Sequence, residues 1–253
     1  MRLDLPAQLD GCSLAREILV LDETTSTNDV AAKFGRAGAA EGLLVFAERQ
    51  TAGRGRCGRK WEGAPGEALA FSILLRPKIP SHEWTRLTTF AAVAVAEGLE
   101  EIAATRAEIK WPNDIYLGGK KAVGILIENH AGEFAVLGIG VNVNQTQFPQ
   151  PLEQRATSLR MTAGREFDRA TVAMSLLRKL DALYPKLHGD FPAIIAAAQE
   201  RNYLRERWIE ADGGGTRVRG LAEKLDENGA LILRKEDGAT VVLTSGEVTL
   251  TGF

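Results

Sequence analysis

Arg54, Arg56, Arg59 and Lys60 sit close together in the chain, interleaved with Gly53, Gly55 and Gly58 and closed by Trp61. Arginine presents a planar fork of donors matched to carboxylate and phosphate. Glycine lets backbone come close to a ligand. The combination predicts a loop that closes over a small polyanion. The competing reading is a solvated surface turn, but such a turn has no need of a glycine between neighbouring arginines, and the clamp is favoured.

Gly53-Arg54-Gly55-Arg56-Cys57-Gly58 also satisfies the spacing of a dinucleotide-binding fingerprint. That fingerprint opens a helix and is followed by an acidic ribose ligand about 20 residues on. Here Gly63, Pro65 and Gly66 follow the loop, and Pro77-Lys78-Ile79 stands where the acid should be. The Rossmann reading is rejected.

Three further groups could line the same site. In Lys110-Trp111-Pro112-Asn113-Asp114, proline keeps the residue before it extended and ends strand pairing, so Asn113 and Asp114 fall at a strand break, either facing a pocket or forming a plain turn. Lys121 enters the apolar run Ala122–Ile127, where a lysine either reaches for solvent or adds a point charge to the anion site, and Gly124 would let a flat ligand approach. Ser26, Thr27 and Asn28 are helix caps or ligand contacts, and Asn142 and Asn144 end a strand where they could read a base or merely turn. No nucleophile motif, paired carboxylates or metal triad is visible, so chemistry here would rest on positioning and electrostatics.

The elements that must hold these residues are legible as pattern. Glu17–Leu21, Leu43–Ala47 and Leu69–Leu75 read as strands, with a helix at Val30–Phe34 opened by a capping box of Ser26 and Asp29. Ser81–Ala104 has helical spacing and is the longest predicted helix. Residues 109–143 read as an antiparallel meander with a Gly118-Gly119 hairpin turn, and helices follow near 168–186 and 191–203. From about Glu206, Gly213-Gly214-Gly215, Asn228-Gly229, Asp237-Gly238 and Ser245-Gly246 punctuate five short β runs, a small barrel. Interspersed helices and hairpins predict an α+β main domain over 1–205 and a small β domain over 206–253.

Composition narrows the function. The chain has 253 residues, 45% hydrophobic and 25% charged, an ordinary globular profile, and its net charge of -2 argues against broad nucleic-acid binding. Cys12 and Cys57 make no disulfide framework, and His82, His130 and His188 are scattered. Met1–Pro6 lacks the apolar core of a signal peptide, and the longest apolar run, Phe90–Ala96, is short of a membrane span, so the expected location is cytoplasmic.

Ser26-Thr27-Asn28, the Gly53–Trp61 loop, Lys110–Asp114 backed by Lys121–Ile125, and Gly138–Asn142 occur in the order that resembles the biotin protein ligases (biotin–[acetyl-CoA-carboxylase] ligases). The resemblance implies a catalytic domain similar to class II aminoacyl-tRNA synthetases and an SH3-like C-terminal domain. It implies ATP, biotin and Mg²⁺, with biotinyl-5′-AMP formed first and biotin then passed to a lysine of a biotin carboxyl carrier domain. By that likeness Ser26, Thr27, Asn28 and Gln50 hold biotin, Arg54, Gly55 and Arg56 close over carboxylate and phosphate, and Lys121 meets the acyl-phosphate junction. Gly124 borders the biotin tail, while Trp61, Asn113, Asp114 and Asn142 serve the nucleotide. A first strand near residue 17 leaves no room for the helix-turn-helix domain of some relatives, so no DNA-binding role is expected; a homodimer stays open. The rival readings are a lipoate or octanoate ligase, disfavoured by the polar Ser26-Thr27-Asn28 and Gln50, and a non-catalytic nucleotide-sensing regulator.

Overall fold

The computed structural model describes residues 11–212 and 217–251. The Met1–Pro6 start and the Gly213-Gly214-Gly215 turn lie outside the described residues.

Seven strands form the main sheet: β1 (Glu17–Thr24), β2 (Leu43–Gln50), β3 (Ala68–Leu75), β4 (Ala107–Lys110), β5 (Asp114–Leu117), β6 (Lys120–His130) and β7 (Phe134–Asn142). Their spatial order is β1-β2-β3-β7-β6-β5-β4, with β1 parallel to β2 and the remaining pairs antiparallel. The expected meander is present, and Gly118 and Gly119 turn it with φ of 56° and 79°, values that side-chain-bearing residues avoid.

Alternation along β3 and β7 decides what each face meets. Phe71, Ile73, Leu75, Leu137, Ile139 and Val141 point to one side, into a core completed by α2 (Arg86–Ala103) and, after a short α3 (Leu159–Ala163), α4 (Arg169–Leu183). The opposite face is covered only in part. There α1 (Thr27–Arg36) lays Ala31 and Ala32 on Leu43, Val45, Leu74, Phe134 and Val136. Gly35 lets it settle: a methyl at that position would lie 2.6 Å from the Phe134 ring and 2.9 Å from Leu74. The N-terminal turn of α1 therefore ends over the uncovered part of the sheet.

Several boundaries differ from the sequence reading. Ser26 takes the N-cap position of α1 but makes no side-chain cap, so the capping box does not form; the Asp29 carboxylate is taken by Arg54 instead. The long helix begins at Arg86, after a separate 3₁₀ turn at Ser81–Glu83. After α5 (Lys186–Gly189), α6 (Phe191–Glu200) stops short of 203 because Arg201 and Tyr203 bond to Ile109 and cover the edge of β4. The short α3, capped by Ser158 accepting from Met161 N, had no periodic signal.

Strands β8 (Trp208–Asp212), β9 (Arg217–Leu225), β10 (Leu231–Arg234), β11 (Thr240–Leu243) and β12 (Glu247–Leu250) form a second, antiparallel sheet in the order β11-β10-β9-β8-β12. It rests on the first unit through Trp111 Nε1 donating to Gly229 O (3.0 Å) and Arg86 reaching Asn228, with Ala222 and Leu231 inside the common core. No helix among the described residues is long and apolar enough to cross a membrane.

Candidate active site

On the face that α1 leaves uncovered, the residues are small. In register across the sheet run Ala70 of β3, Gly140 of β7, Gly124 of β6, Asp114 of β5 and Lys110 of β4. One step toward α1, Ser72 faces Gly138. Val or Leu side chains on a sheet face packed under a helix would bury about 1.5–3 kcal/mol each. The sheet forgoes that stabilisation and keeps a trough with a charged end.

One wall is the N-terminal turn of α1. Ser26, Thr27 and Asn28 are at most 4% exposed, an unusual burial for three consecutive polar residues. Their neighbours explain it. Gln50 Oε1 accepts from Thr27 N (2.8 Å) and Thr27 Oγ1 (3.2 Å). The fully buried Ser72 hydroxyl lies 2.7 Å from Thr27 Oγ1 and 2.6 Å from Asn28 Oδ1, and Asn28 Nδ2 donates to Glu128 at 2.9 Å. A side chain at Gly138 would collide with the Asn28 amide. The helix macrodipole adds a partial positive charge at this end.

The glycine-arginine loop forms the second wall. Arg54 bridges to Lys60, Gly55 N donates to Arg59 O (2.7 Å), and Trp61 N donates to Gly53 O (3.0 Å). Gly53 is required: any Cβ there would run into the Trp61 carbonyl. Gly55 has an ordinary φ of -108° and room for a Cβ, so backbone geometry does not demand it. Cys57 is exposed, with φ 53°.

The two clamp arginines are not equivalent. Arg54 makes a two-toothed pair with Asp29 (2.9 and 2.8 Å) and also reaches Glu128 at 3.1 Å. Its hydrogen bonds hold the Asp29 carboxyl below the usual range, and Asp29 in turn raises the Arg54 pKa. Arg54 is thus neutralised and ties the loop to α1 and β6. Among the described residues Arg56 pairs with no carboxylate; its guanidinium rests on Asn113 Oδ1 at 3.3 Å. Asn113 is itself fixed, donating through Nδ2 to Ile125 O at 2.6 Å. Of the two arginines, Arg56 is the one whose charge no carboxylate among the described residues neutralises.

Trp61 lies in the trough. A methyl at Gly140 would fall within the indole, and one at Gly124 would be 3.2 Å from its Cζ3 and 3.3 Å from Lys121 Nζ. At the charged end Lys121 pairs with Asp114 (2.6 Å), and Lys110 sits 5.4 Å from the Tyr116 ring centre. Burial holds the Lys110 pKa below the usual lysine range; Asp114 opposes that, and the charges of Lys121, Arg59 and Arg155 add to it. A basin with this excess of cations favours a polyanion. Arg59 also pairs with Glu247, linking the loop to β12.

Asn142 shares the strand face of Gly138 and Gly140 but is buried, its Nδ2 donating to Thr157 O at 3.0 Å. Its Oδ1 accepts from Gln145 Nε2 at 3.2 Å. The remaining candidates converge: Ser26, Thr27, Asn28 and Gln50 at one end, Arg56, Trp61, Asn113, Asp114, Lys121 and Gly124 at the other. The sequence reading missed Ser72, Glu128, Asp29 and Lys110. Strand alternation could have found Lys110, which pairs directly with Asp114; nothing local marks Ser72 or Glu128. Asn144, the other strand-end asparagine, lies in an open cavity of about 400 Å³ with Glu67, Arg160 and Phe167, its side chain bonded to the Phe167 backbone.

Comparison with known proteins identifies the family. Residues 20–144 match the model of the biotin/lipoate A/B protein ligase family, and residues 209–250 match the biotin protein ligase C-terminal domain. The chain is 38% identical to the bifunctional ligase/repressor BirA of Bacillus subtilis, over 89% of this chain and 71% of that protein. It is 36% identical to the biotin–[acetyl-CoA-carboxylase] ligase of Mycobacterium tuberculosis, over 92% and 88%. The biotin protein ligase of Aquifex aeolicus, solved with biotin and ATP, superposes with a TM-score of 0.82 at 31% identity, covering 92% of this chain and 98% of that one.

Proposed function

The chain belongs to the biotin/lipoate A/B protein ligase family, among its biotin protein ligases, and from that premise we propose that the trough is where biotin is activated and handed on. The protein is an ATP-dependent biotin–[acetyl-CoA-carboxylase] ligase. The biotin carboxylate attacks the α-phosphate of ATP, pyrophosphate leaves, and a lysine amine of a carrier domain then attacks biotinyl-5′-AMP and releases AMP.

The observation that carries the assignment to the trough is the buried polar turn of α1 facing the same glycine floor as Arg56 and Lys121. A buried ureido ring needs hydrogen-bond partners, and Ser26, Thr27, Asn28 and Gln50 supply that chemistry where a dithiolane would need none. Gly124 leaves room for the tail. Bringing a carboxylate within about 3.5 Å of a phosphate costs about 5 kcal/mol of repulsion at an effective dielectric of 20. Arg56 and Lys121 offset it from the two sides of the junction, and Gly55 keeps the approach between Arg54 and Arg56 clear. Arg54 acts by holding Asp29, Glu128 and the loop in place. Trp61, Asn113, Asp114 and Asn142 border the nucleotide.

Mg²⁺ suits this donor set as a substrate-borne ion. Among the described residues no three His, Cys, Asp or Glu gather to hold a metal, and Mg²⁺ is commonly bound by one or two carboxylates together with phosphate oxygens. Asp114 is the carboxylate positioned for it, and the ion would neutralise phosphate charge. We place the boundary between the catalytic and C-terminal units near residue 205, the site of action in the cytoplasm, and the acceptor lysine on a biotin carboxyl carrier domain.

The test is biotin-dependent exchange of labelled pyrophosphate into ATP, with lipoate and octanoate as controls. Exchange with biotin alone is expected. Exchange driven equally by lipoate, or none with biotin, would refute the reading.

A further inference from the structure

Residues 51–67, which include the glycine-arginine loop, leave β2 at Gln50 and re-enter the sheet at Ala68 of β3. Among the described residues the ladder between these two strands stops at Phe46–Phe71, although β2 runs on to Gln50 and β3 begins at Ala68. Past that rung β2 stays paired with β1, and β3 with β7. The two strands part as a fork, and the loop springs from its open end. The β2 side of the fork carries Gln50, which also holds the N-terminal turn of α1 through Thr27 N.

One side chain spans the fork. Arg169 Nη1 donates to Glu48 Oε2 of β2 (2.8 Å) and to Ala68 O of β3 (3.1 Å), while Nη2 donates to Glu48 Oε1 (2.9 Å). Arg169 is buried and is the first residue of α4. That helix is fixed on α2: Ser175 Oγ donates to Gly98 O (3.0 Å), and a methyl at Gly98 would lie 2.8 Å from Leu176. Neither helix formation nor stability calls for an arginine here. A cation in the first turn opposes the helix macrodipole, and a buried ion pair is often no more stabilising than apolar residues of the same volume. What Arg169 supplies is a set distance between two strand ends that their own ladder no longer sets.

Resting on the ligase reading, we propose that Arg169 is a positioning residue for biotin activation. It ties the two roots of the glycine-arginine loop together, so that Gln50 and Arg56 stand at a fixed distance from the trough floor. It acts through β2 and the loop rather than on the reacting atoms.

The test measures single-turnover adenylate formation at saturating biotin and ATP, per folded protein, together with Tm. The variants are Arg169→Met, Arg169→Met combined with Glu48→Met, Arg169→Lys and, as a control, Ser175→Ala. Arg169→Met strands the Glu48 carboxylate, so Tm should fall by about 10 °C. The double variant removes both charges and should return Tm to the parent value, yet its rate should stay at least about tenfold low, the cost of a small displacement of positioning groups. Arg169→Lys keeps a cation beside Glu48 but has no planar fork to span both strands, and should be slowed by a similar factor. Ser175→Ala loosens the same helix without touching the fork; it should lower Tm and leave the rate unchanged. A parent-like rate in Arg169→Lys, or a rate restored with Tm in the double variant, overturns the proposal. So does an equal loss of rate in Ser175→Ala, which would make the effect one of stability. No adenylate from the unaltered protein with biotin and ATP instead defeats the ligase reading itself.

Discussion

Replacing Arg56 by alanine should separate the chemistry of the loop from its structure. Arg56 is bound only to Asn113 Oδ1 at 3.3 Å and has no carboxylate partner among the described residues, so its charge is free for the reacting groups. A unit charge about 4 Å from a developing negative charge is worth about 4 kcal/mol at an effective dielectric of 20, less where solvent screens it. Removing one preorganised donor of this kind costs about 10²- to 10³-fold in rate. Single-turnover adenylate formation in Arg56→Ala should fall by that factor, with Tm within about 2 °C of the parent because only the long bond to the neutral Asn113 Oδ1 is lost and no charge is stranded. Arg54→Ala should behave differently. It strands Asp29 and Glu128 beside Asn28, so biotin KM should rise, and stability should fall by about 1 kcal/mol, the scale of an exposed ion pair. Unchanged adenylation in Arg56→Ala, or identical kinetic profiles for the two variants, would refute the division of roles.

Ser72→Ala removes the buried hydroxyl beside Thr27 Oγ1 and Asn28 Oδ1; a loss of about 1–3 kcal/mol is expected by denaturant melts, with weaker biotin binding by calorimetry. Gly140→Val forces the Trp61 indole out of the trough; the fold should persist by circular dichroism while tryptophan emission shifts and exchange activity falls at least about tenfold, the cost of a small displacement of positioning groups. Arg54 holds the Asp29 pKa low. The stabilisation that this pair contributes is therefore complete above the ordinary aspartate pKa of about 3.9 and is lost as pH falls through the lower folded value. The Tm gap between the parent and Asp29→Asn should be present at pH 7 and close below about pH 4; a gap independent of pH would contradict this.

Local chemistry made much of the molecule readable in advance. Branched apolar runs marked the strands, Gly118-Gly119 and the Asn-Gly and Asp-Gly pairs marked turns, and the Gly-Arg loop stood out because only an anion site rewards that spacing. The errors came where local signals compete with distant partners. Ser26 and Asp29 have the spacing of a capping box, but a two-toothed guanidinium is a stronger partner for a carboxylate than a backbone N–H, and Arg54 took Asp29. The helix expected to reach 203 ended at Glu200 because β4 had an open edge that the chain could pair.

Residue order thus held the element types, the two-part organisation and the identity of the cations, since these depend on side chains near one another along the chain. Which cation is free depends on residues far away in the chain. Arg54 and Arg56 are two positions apart and chemically identical, yet Asp29 and Glu128 neutralise the first, while Asn113 leaves the charge of the second unspent. The trough is equally non-local: Ala70, Gly124 and Gly140 become one floor only when strand register sets them side by side. A side chain's charge is carried by its own atoms, but its availability is set by what packing brings within a few ångströms, and that is a property of the fold.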